Sequence, residues 1–195
     1  MRKGAISRTT RETAISIQLE LDGSGEANIS TGIGFFDHML ESFARHSAMD
    51  LHVEAKGDLH VDMHHTVEDV GIGIGQALKQ ALGEFKGLRR FGHAYVPMDE
   101  ALARAALDLA NRPYLIWRVH FPRDKIGEMD TELFKEFFQA LAMHSGACLH
   151  IETLYGENSH HLAEACFKAC ARALRQAIEP DPRFVGAAVS TKGSL

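Results

Sequence analysis

The chain carries the same half twice, and that duplication constrains its fold more than any other feature. His64-His65-Thr66-Val67-Glu68 and His160-His161-Leu162-Ala163-Glu164 lie 96 residues apart. At the same offset, Gln76-Ala77-Leu78-Lys79-Gln80-Ala81-Leu82 matches Arg172-Ala173-Leu174-Arg175-Gln176-Ala177-Ile178, so the helical stretches behind the histidines are repeated too. Upstream, a slip to an offset of 98 sets Phe36-Asp37-His38 on Phe134-Lys135-Glu136 and Leu51-His52-Val53-Glu54 on Leu149-His150-Ile151-Glu152. Two half-repeats, residues 1–95 and 96–195, are expected to form one compact unit. The slip makes His38 and Glu136 equivalent, and both side-chain types bind metals.

Hydrophobic periodicity sets the elements within each half. Residues 14–21 alternate and run into Asp22-Gly23-Ser24-Gly25, which predicts a strand and a turn, with 27–31 returning as its hairpin partner. Phe36, Met39, Leu40 and Phe43 form one stripe of a helix over residues 35–46. Residues 51–55 and 149–153 alternate as strands, each followed by a polar loop and a helix, over about 66–82 and 161–178. Gly71, Gly73 and Gly75 in the first of these helices imply close helix contact, and no strand precedes them as a dinucleotide-binding loop requires. Residues 98–109 read as helix or strand. The repeat favours strand, since at offset 96 Arg8 and Glu12 map onto Arg104 and Asp108. Residues 114–121 read as a further strand, so each half runs strands, helix, strand, helix. The expected class is α+β, internally duplicated, with mixed sheets packed against helices.

A net charge of −5 and a pI near 6.2 argue against general nucleic-acid binding. No apolar run is long enough for a membrane span, and no signal-peptide core follows Met1, so a cytoplasmic protein without a membrane partner is expected. Cys148, Cys166 and Cys170 read as buried free thiols. The compositional outlier is histidine, at 12 residues, the excess that a histidine-rich metal centre produces.

Imidazole and carboxylate together suit Zn, Mn, Fe, Co or Ni, and glutamate one turn after a histidine puts both donors on one helical face. Adjacent helical residues point about 100° apart, so the two histidines of a pair are expected to serve different metals. Spacing alone leaves the use of such ligands open. A binuclear hydrolase of a small phosphorylated substrate and a non-catalytic metal-dependent assembly protein would both carry them.

The motifs narrow this further. Phe35-Phe36-Asp37-His38-Met39-Leu40, Asp62-x-His64-His65-Thr66-Val67-Glu68-Asp69, Arg90-Phe91-Gly92, Met98-Asp99-Glu100-Ala101-Leu102, Asn111-Arg112-Pro113, Tyr155-Gly156-Glu157-Asn158-x-His160-His161 and Ser190-Thr191-Lys192-Gly193 resemble, in order along the chain, the imidazoleglycerol-phosphate dehydratase family of histidine biosynthesis. The resemblance implies a fold related to the second domain of ribosomal protein S5, two Mn2+ per active site, and an octahedral homo-oligomer of 24 subunits with sites between subunits. No phosphatase-like segment precedes the matching region, so a monofunctional form is expected.

Such an enzyme dehydrates imidazole glycerol phosphate to imidazole acetol phosphate. A metal on one ring nitrogen eases loss of the other ring N–H, the imidazolate expels the neighbouring hydroxyl as a diazafulvene forms, and loss of the now acidic C–H yields the enol of the ketone. The metal ligands carried over are His38, His64, His65, Glu68, Glu136, His160, His161 and Glu164. Glu136 departs from the family pattern, which commonly has histidine there. Glu12 is the candidate acid/base and substrate contact, with Glu164 as a second proton-transfer candidate. Arg90, Arg112, Lys168, Ser190, Thr191 and Lys192 are the candidates for the phosphate, whose oxygens suit arginine's fork and lysine's point charge.

Overall fold

A computed structural model describes residues 1–193. Alternation makes β1 (Lys3–Thr9) and β2 (Thr13–Glu20) a hairpin that buries Ile15, Ile17 and Leu19. Strand β3 (Ala27–Ser30), helix α1 (Gly34–Ser47), strand β4 (Asp50–Gly57) and helix α2 (His64–Leu82) complete the first half. The second half repeats this order with β5 (Phe91–Met98), β6 (Ala101–Asp108) and β7 (Tyr114–Arg118). A small hairpin of β8 (Lys125–Ile126) and β9 (Met129–Asp130) is inserted before α3 (Leu133–Ser145), β10 (Cys148–Tyr155) and α4 (Ser159–Ile178). The sheets run β1-β2-β4-β3 and β5-β6-β10-β7, each with an antiparallel core and a parallel last strand. Strand β3 is therefore not the expected hairpin partner of β2: β1 and β4 occupy both edges of β2, and β3 pairs in parallel with β4. The class is α+β, as expected.

Strand register corrects the expected alignment of the first strands. Gly4 and Gly92 each lie so close to a helix that a methyl group would overlap the carbonyl of Ala77 or Ala173. The next residues match as well: the Ala5 N–H donates to Gln80 Oε1 at 2.7 Å and the His93 N–H to Gln176 Oε1 at 3.0 Å. The repeat offset here is therefore 88, which pairs Glu12 with Glu100 and Arg8 with Val96, not with Asp108 and Arg104. The cause is the β8–β9 insertion, which lies downstream of these strands and lifts the offset to 98 at α1 and α3, before it settles at 96 along α2 and α4. Residues 101–108 are strand, and β5, which the periodicity did not single out, crosses the expected division between residues 95 and 96. Strand β7 also stops short of the expected end at 121.

The two halves interlock through their helices. α2 packs on α3 and α1 on α4, so each half lends a helix to the other. Gly71 meets the Phe137 carbonyl and Ala140, and Gly75 meets the Leu141 carbonyl and His144, which is the close contact the glycines imply. Gly73 faces Ile15 and Ile17 on the sheet. At the centre, Phe167 stacks on Phe137 at 5.3 Å and tilts against Phe138 at 4.7 Å. Cys166 and Cys170 are buried and free, whereas Cys148 is only half-buried because it starts β10 beside solvent. No helix among the described residues is long and apolar enough to cross a membrane.

Candidate active site

Helix α4 starts where Asn158 caps it, its side chain accepting the N–H groups of His160 at 2.9 Å and His161 at 3.3 Å. The cap puts both histidines in the first turn. His160 and Glu164 then share a face, with His160 Nε2 3.1 Å from Glu164 Oε2. α1 delivers His38, whose Nε2 is 3.6 Å from the same oxygen. One ligand atom from each of His38, His160 and Glu164 lies within 4.8 Å of the others, a convergent donor set that fits a divalent transition metal. Lys168, one turn further along, holds the other Glu164 oxygen at 2.8 Å. Burial pushes the Glu164 carboxyl up, but Lys168, His160 and His38 together outweigh it and keep the group below its usual range.

His161 turns away from this triad; its ring stands 6.1 Å from that of His160 at 81°. Its Nδ1 lies 2.7 Å from Glu100 Oε2, and its Nε2 lies 3.7 Å from Asp99. Glu100 also accepts the backbone N–H groups of Glu157 at 3.1 Å and Asn158 at 2.8 Å. His161 and these N–H groups hold the Glu100 carboxyl down at about 2, and Glu100 in turn raises His161.

The first half builds a looser counterpart. The Asp62 side chain accepts the His64 N–H at 2.8 Å at the start of α2, and His64 Nε2 is 3.8 Å from Glu68. Glu136 sits in the first turn of α3, the helix packed on α2, as His38 sits near the start of α1, packed on α4. Of the two clusters, only His38, His160 and Glu164 have converged to ligand distances among the described residues. His65 points away from His64 and places its Nδ1 3.0 Å from Asp58, whose carboxylate raises the imidazole's pKa. Glu12, more than half exposed, lies 3.9 Å from His65 Nε2. It pairs with neither Arg8 nor Arg11; Arg8 instead reaches Asp69 at 2.5 Å, and Asp69 also accepts the Thr13 hydroxyl.

Five of the six phosphate candidates share one cavity. Arg90, Arg112, Ser190, Thr191 and Lys192 line a space of about 720 Å³ with Asn111 and Phe184. Arg90 is fixed there: its Nε donates to Asp108 Oδ1 at 2.7 Å, its Nη1 to the Val189 carbonyl, and its guanidinium covers the Phe91 ring at 4.8 Å. Arg112 and Lys192 supply the cationic charge that Asp108 does not offset. Lys168 is not part of this cavity but sits beside Glu164, because its place on α4 one turn after the ligand fixes it there. Sequence reasoning also gave no role to Asp58, Asp99 or Glu100, although an offset of 88 would have aligned Glu100 with Glu12. Nor did it single out Arg123 and Lys125 of the inserted hairpin, which line a hollow of about 490 Å³ with Glu100, His160 and His161.

Comparisons with known proteins agree on one family. Residues 31–174 match the family model described as imidazoleglycerol-phosphate dehydratase. The dehydratase of that name from Phenylobacterium zucineum is 64% identical over 194 residues, covering 100% of this chain and 99% of the relative. That from Paracoccus denitrificans is 60% identical over 195 residues and covers both chains completely, at 100%. Among solved structures, imidazoleglycerol-phosphate dehydratase from Staphylococcus aureus superposes with a TM-score of 0.84 at 40% identity, over 92% of this chain and 99% of that one. The Pyrococcus furiosus IGPD structure gives the same TM-score of 0.84 at 37% identity, over 97% and 100%.

Proposed function

The chain belongs to the imidazoleglycerol-phosphate dehydratase family, hydro-lyases of histidine biosynthesis, and from that premise we propose a metal-dependent dehydration of D-erythro-imidazole glycerol phosphate to imidazole acetol phosphate and water, carried out in the cytoplasm with two Mn2+ per active site. The observation that carries the metal dependence is the convergence of His38, His160 and Glu164 within 4.8 Å; the repeat-equivalent residues His64, Glu68 and Glu136 offer imidazole and carboxylate donors in a looser arrangement on the packed helices α2 and α3. His65 and His161, turned away from their neighbours, are available to the second ion of each pair. When bound, the ions supply positive charge at the imidazole, which makes its ring N–H easier to remove.

The chain's own residues do the rest. Arg90, Arg112, Ser190, Thr191 and Lys192 clamp the phosphate dianion and orient the three-carbon chain. Glu12, exposed on the β1–β2 turn and held by no ion pair with an arginine or lysine among the described residues, reaches out as the acid/base. Glu164 is kept ionised by Lys168 and serves first as a ligand. Lys168 joins the substrate site from this position, beside the metal carboxylate.

Geometry supports a homo-oligomer with shared sites. Arg90 stands at one end of β5, whereas the Asp99-Glu100 turn that grips His161 stands at the other. Eight strand residues at roughly 3.3 Å each separate them by about 25 Å. Imidazole glycerol phosphate is far shorter, so it spans the phosphate cavity of one copy and the α4 histidines of another. An assembly of 24 copies with octahedral symmetry accommodates this. No nucleic acid or membrane takes part.

Incubating metal-free protein with imidazole glycerol phosphate, with and without added Mn2+, tests the proposal. Ketone should form only with the metal. Phosphate release in place of ketone would mark a hydrolase, and equal ketone formation in a chelator would refute metal dependence.

A further inference from the structure

His65 and His161 occupy equivalent positions in the two repeats, and each presents Nδ1 to a carboxylate, Asp58 at 3.0 Å and Glu100 at 2.7 Å. These carboxylates are not equivalent to each other. Glu100 is the repeat partner of Glu12, since the β1–β2 and β5–β6 hairpins have the same register with two-residue turns, Arg11-Glu12 and Asp99-Glu100. Asp58 is the repeat partner of Glu157. Each follows a glycine, Gly57 or Gly156, that leaves no room for a side chain against matching neighbours: Thr13 and Thr66 in one half, Ala101 and Leu162 in the other. The same two positions therefore exchange roles. In the first half the residue after the glycine grips the imidazole and the hairpin glutamate stays exposed. In the second the hairpin glutamate grips it, and Glu157 is exposed and contributes its backbone N–H to Glu100.

An ionised carboxylate only accepts hydrogen bonds, so the proton of a neutral imidazole must sit on Nδ1 and the lone pair on Nε2. Two side chains from unrelated positions meeting the same ring atom in both halves point to a requirement on the histidines rather than to incidental surface pairing. We infer that Asp58 and Glu100 are positioning residues that fix His65 and His161 as Nε2 metal donors, and that the exchange of roles is what leaves the Glu12 carboxylate off Nδ1, 3.9 Å from His65 Nε2, for proton transfer. The inference rests on the metal-dependent reading above. Partners of this kind typically change metal affinity by about 10–100-fold when removed.

Glu100→Gln is the sharpest test. The amide oxygen can still accept the Glu157 and Asn158 N–H groups, so the loop is retained, but the amide NH2 then faces Nδ1 and drives the ring proton onto Nε2. Free Mn2+ measured by electron paramagnetic resonance during titration of metal-free protein should reveal a 10–100-fold loss of affinity at part of the sites. Asp58→Ala should do the same, and Asp58→Asn, which keeps an acceptor, should recover most of it. Circular dichroism of the metal-free variants should match wild type. If the wild-type protein binds Mn2+ and Glu100→Gln and Asp58→Ala bind it within twofold of wild type, the positioning role is overturned. If the wild-type protein itself binds none, the metal reading fails and takes this inference with it.

Discussion

Replacing Lys168 with methionine isolates the contact that keeps Glu164 charged inside the protein. Methionine retains the alkyl packing and removes only the ammonium group, which lies 2.8 Å from Glu164 Oε1. An exposed ion pair contributes at most about 1 kcal/mol, whereas stripping one partner from a buried pair costs roughly 3–5 kcal/mol. Here the side chains are 21% and 10% exposed, and His160 and His38 remain as partial partners. We expect an intermediate loss of about 2–3 kcal/mol, or roughly 4–12 °C in melting temperature for a chain of this size. The sign against pH follows from the direction of the shift. Glu164 is held below the ordinary 4.5, so its contribution is complete above that value and is lost as pH falls through the folded one. In the variant, burial dominates and the carboxyl moves up, so the gap between the two proteins should be widest at neutral pH and shrink in acid. Thermal melts of metal-free protein at pH 7 and pH 4, at fixed subunit concentration, measure it. Equal stability at pH 7, or a gap that does not narrow in acid, would refute the reasoning.

Three further outcomes are expected. Arg112→Ala and Lys192→Ala each remove one cation of the proposed phosphate clamp and should lower kcat/KM about 10–100-fold, mainly through KM, in steady-state assays. Gly92→Ala forces a methyl into the Ala173 carbonyl and should destabilise the protein by about 1–3 kcal/mol in urea titrations. Glu100, depressed to about 2, should stabilise the metal-free protein relative to Glu100→Gln fully above pH 4.5, with the difference vanishing as pH falls through about 2 in melts across that range.

Much of this molecule was legible in the chain because the signals were local. The stripe of Phe36, Met39, Leu40 and Phe43 predicts α1, and all four residues are buried. The paired histidines with a glutamate one turn later predict shared helical faces, and His160 with Glu164 realises one at 3.1 Å. The cavity of Arg90, Arg112, Ser190, Thr191 and Lys192 joins residues from three distant segments, which only the family motifs could bring together. What escaped depended on register. An insertion of ten residues between β7 and α3 changes the repeat offset from 88 to 98, so matching helices at 96 misplaced Glu12. Asp58 and Glu100 were invisible for the same reason: an acidic residue in a turn reads as solvated until the fold sets it against an imidazole. Lys168 carries the right charge for phosphate, and only the α4 geometry gives it to Glu164.

The count of manganese ions bound at equilibrium tests the central claim most directly. On the proposed reading, each chain supplies one full complement of ligands, four from each repeat: His38, His64, His65 and Glu68, and Glu136, His160, His161 and Glu164. Titrating metal-free protein with Mn2+ and measuring bound metal by elemental analysis should saturate at about two ions per chain, falling to about one when His38 and His160 are both replaced by alanine. Saturation at one ion or none in the wild-type protein, or an unchanged count in the double variant, would contradict it.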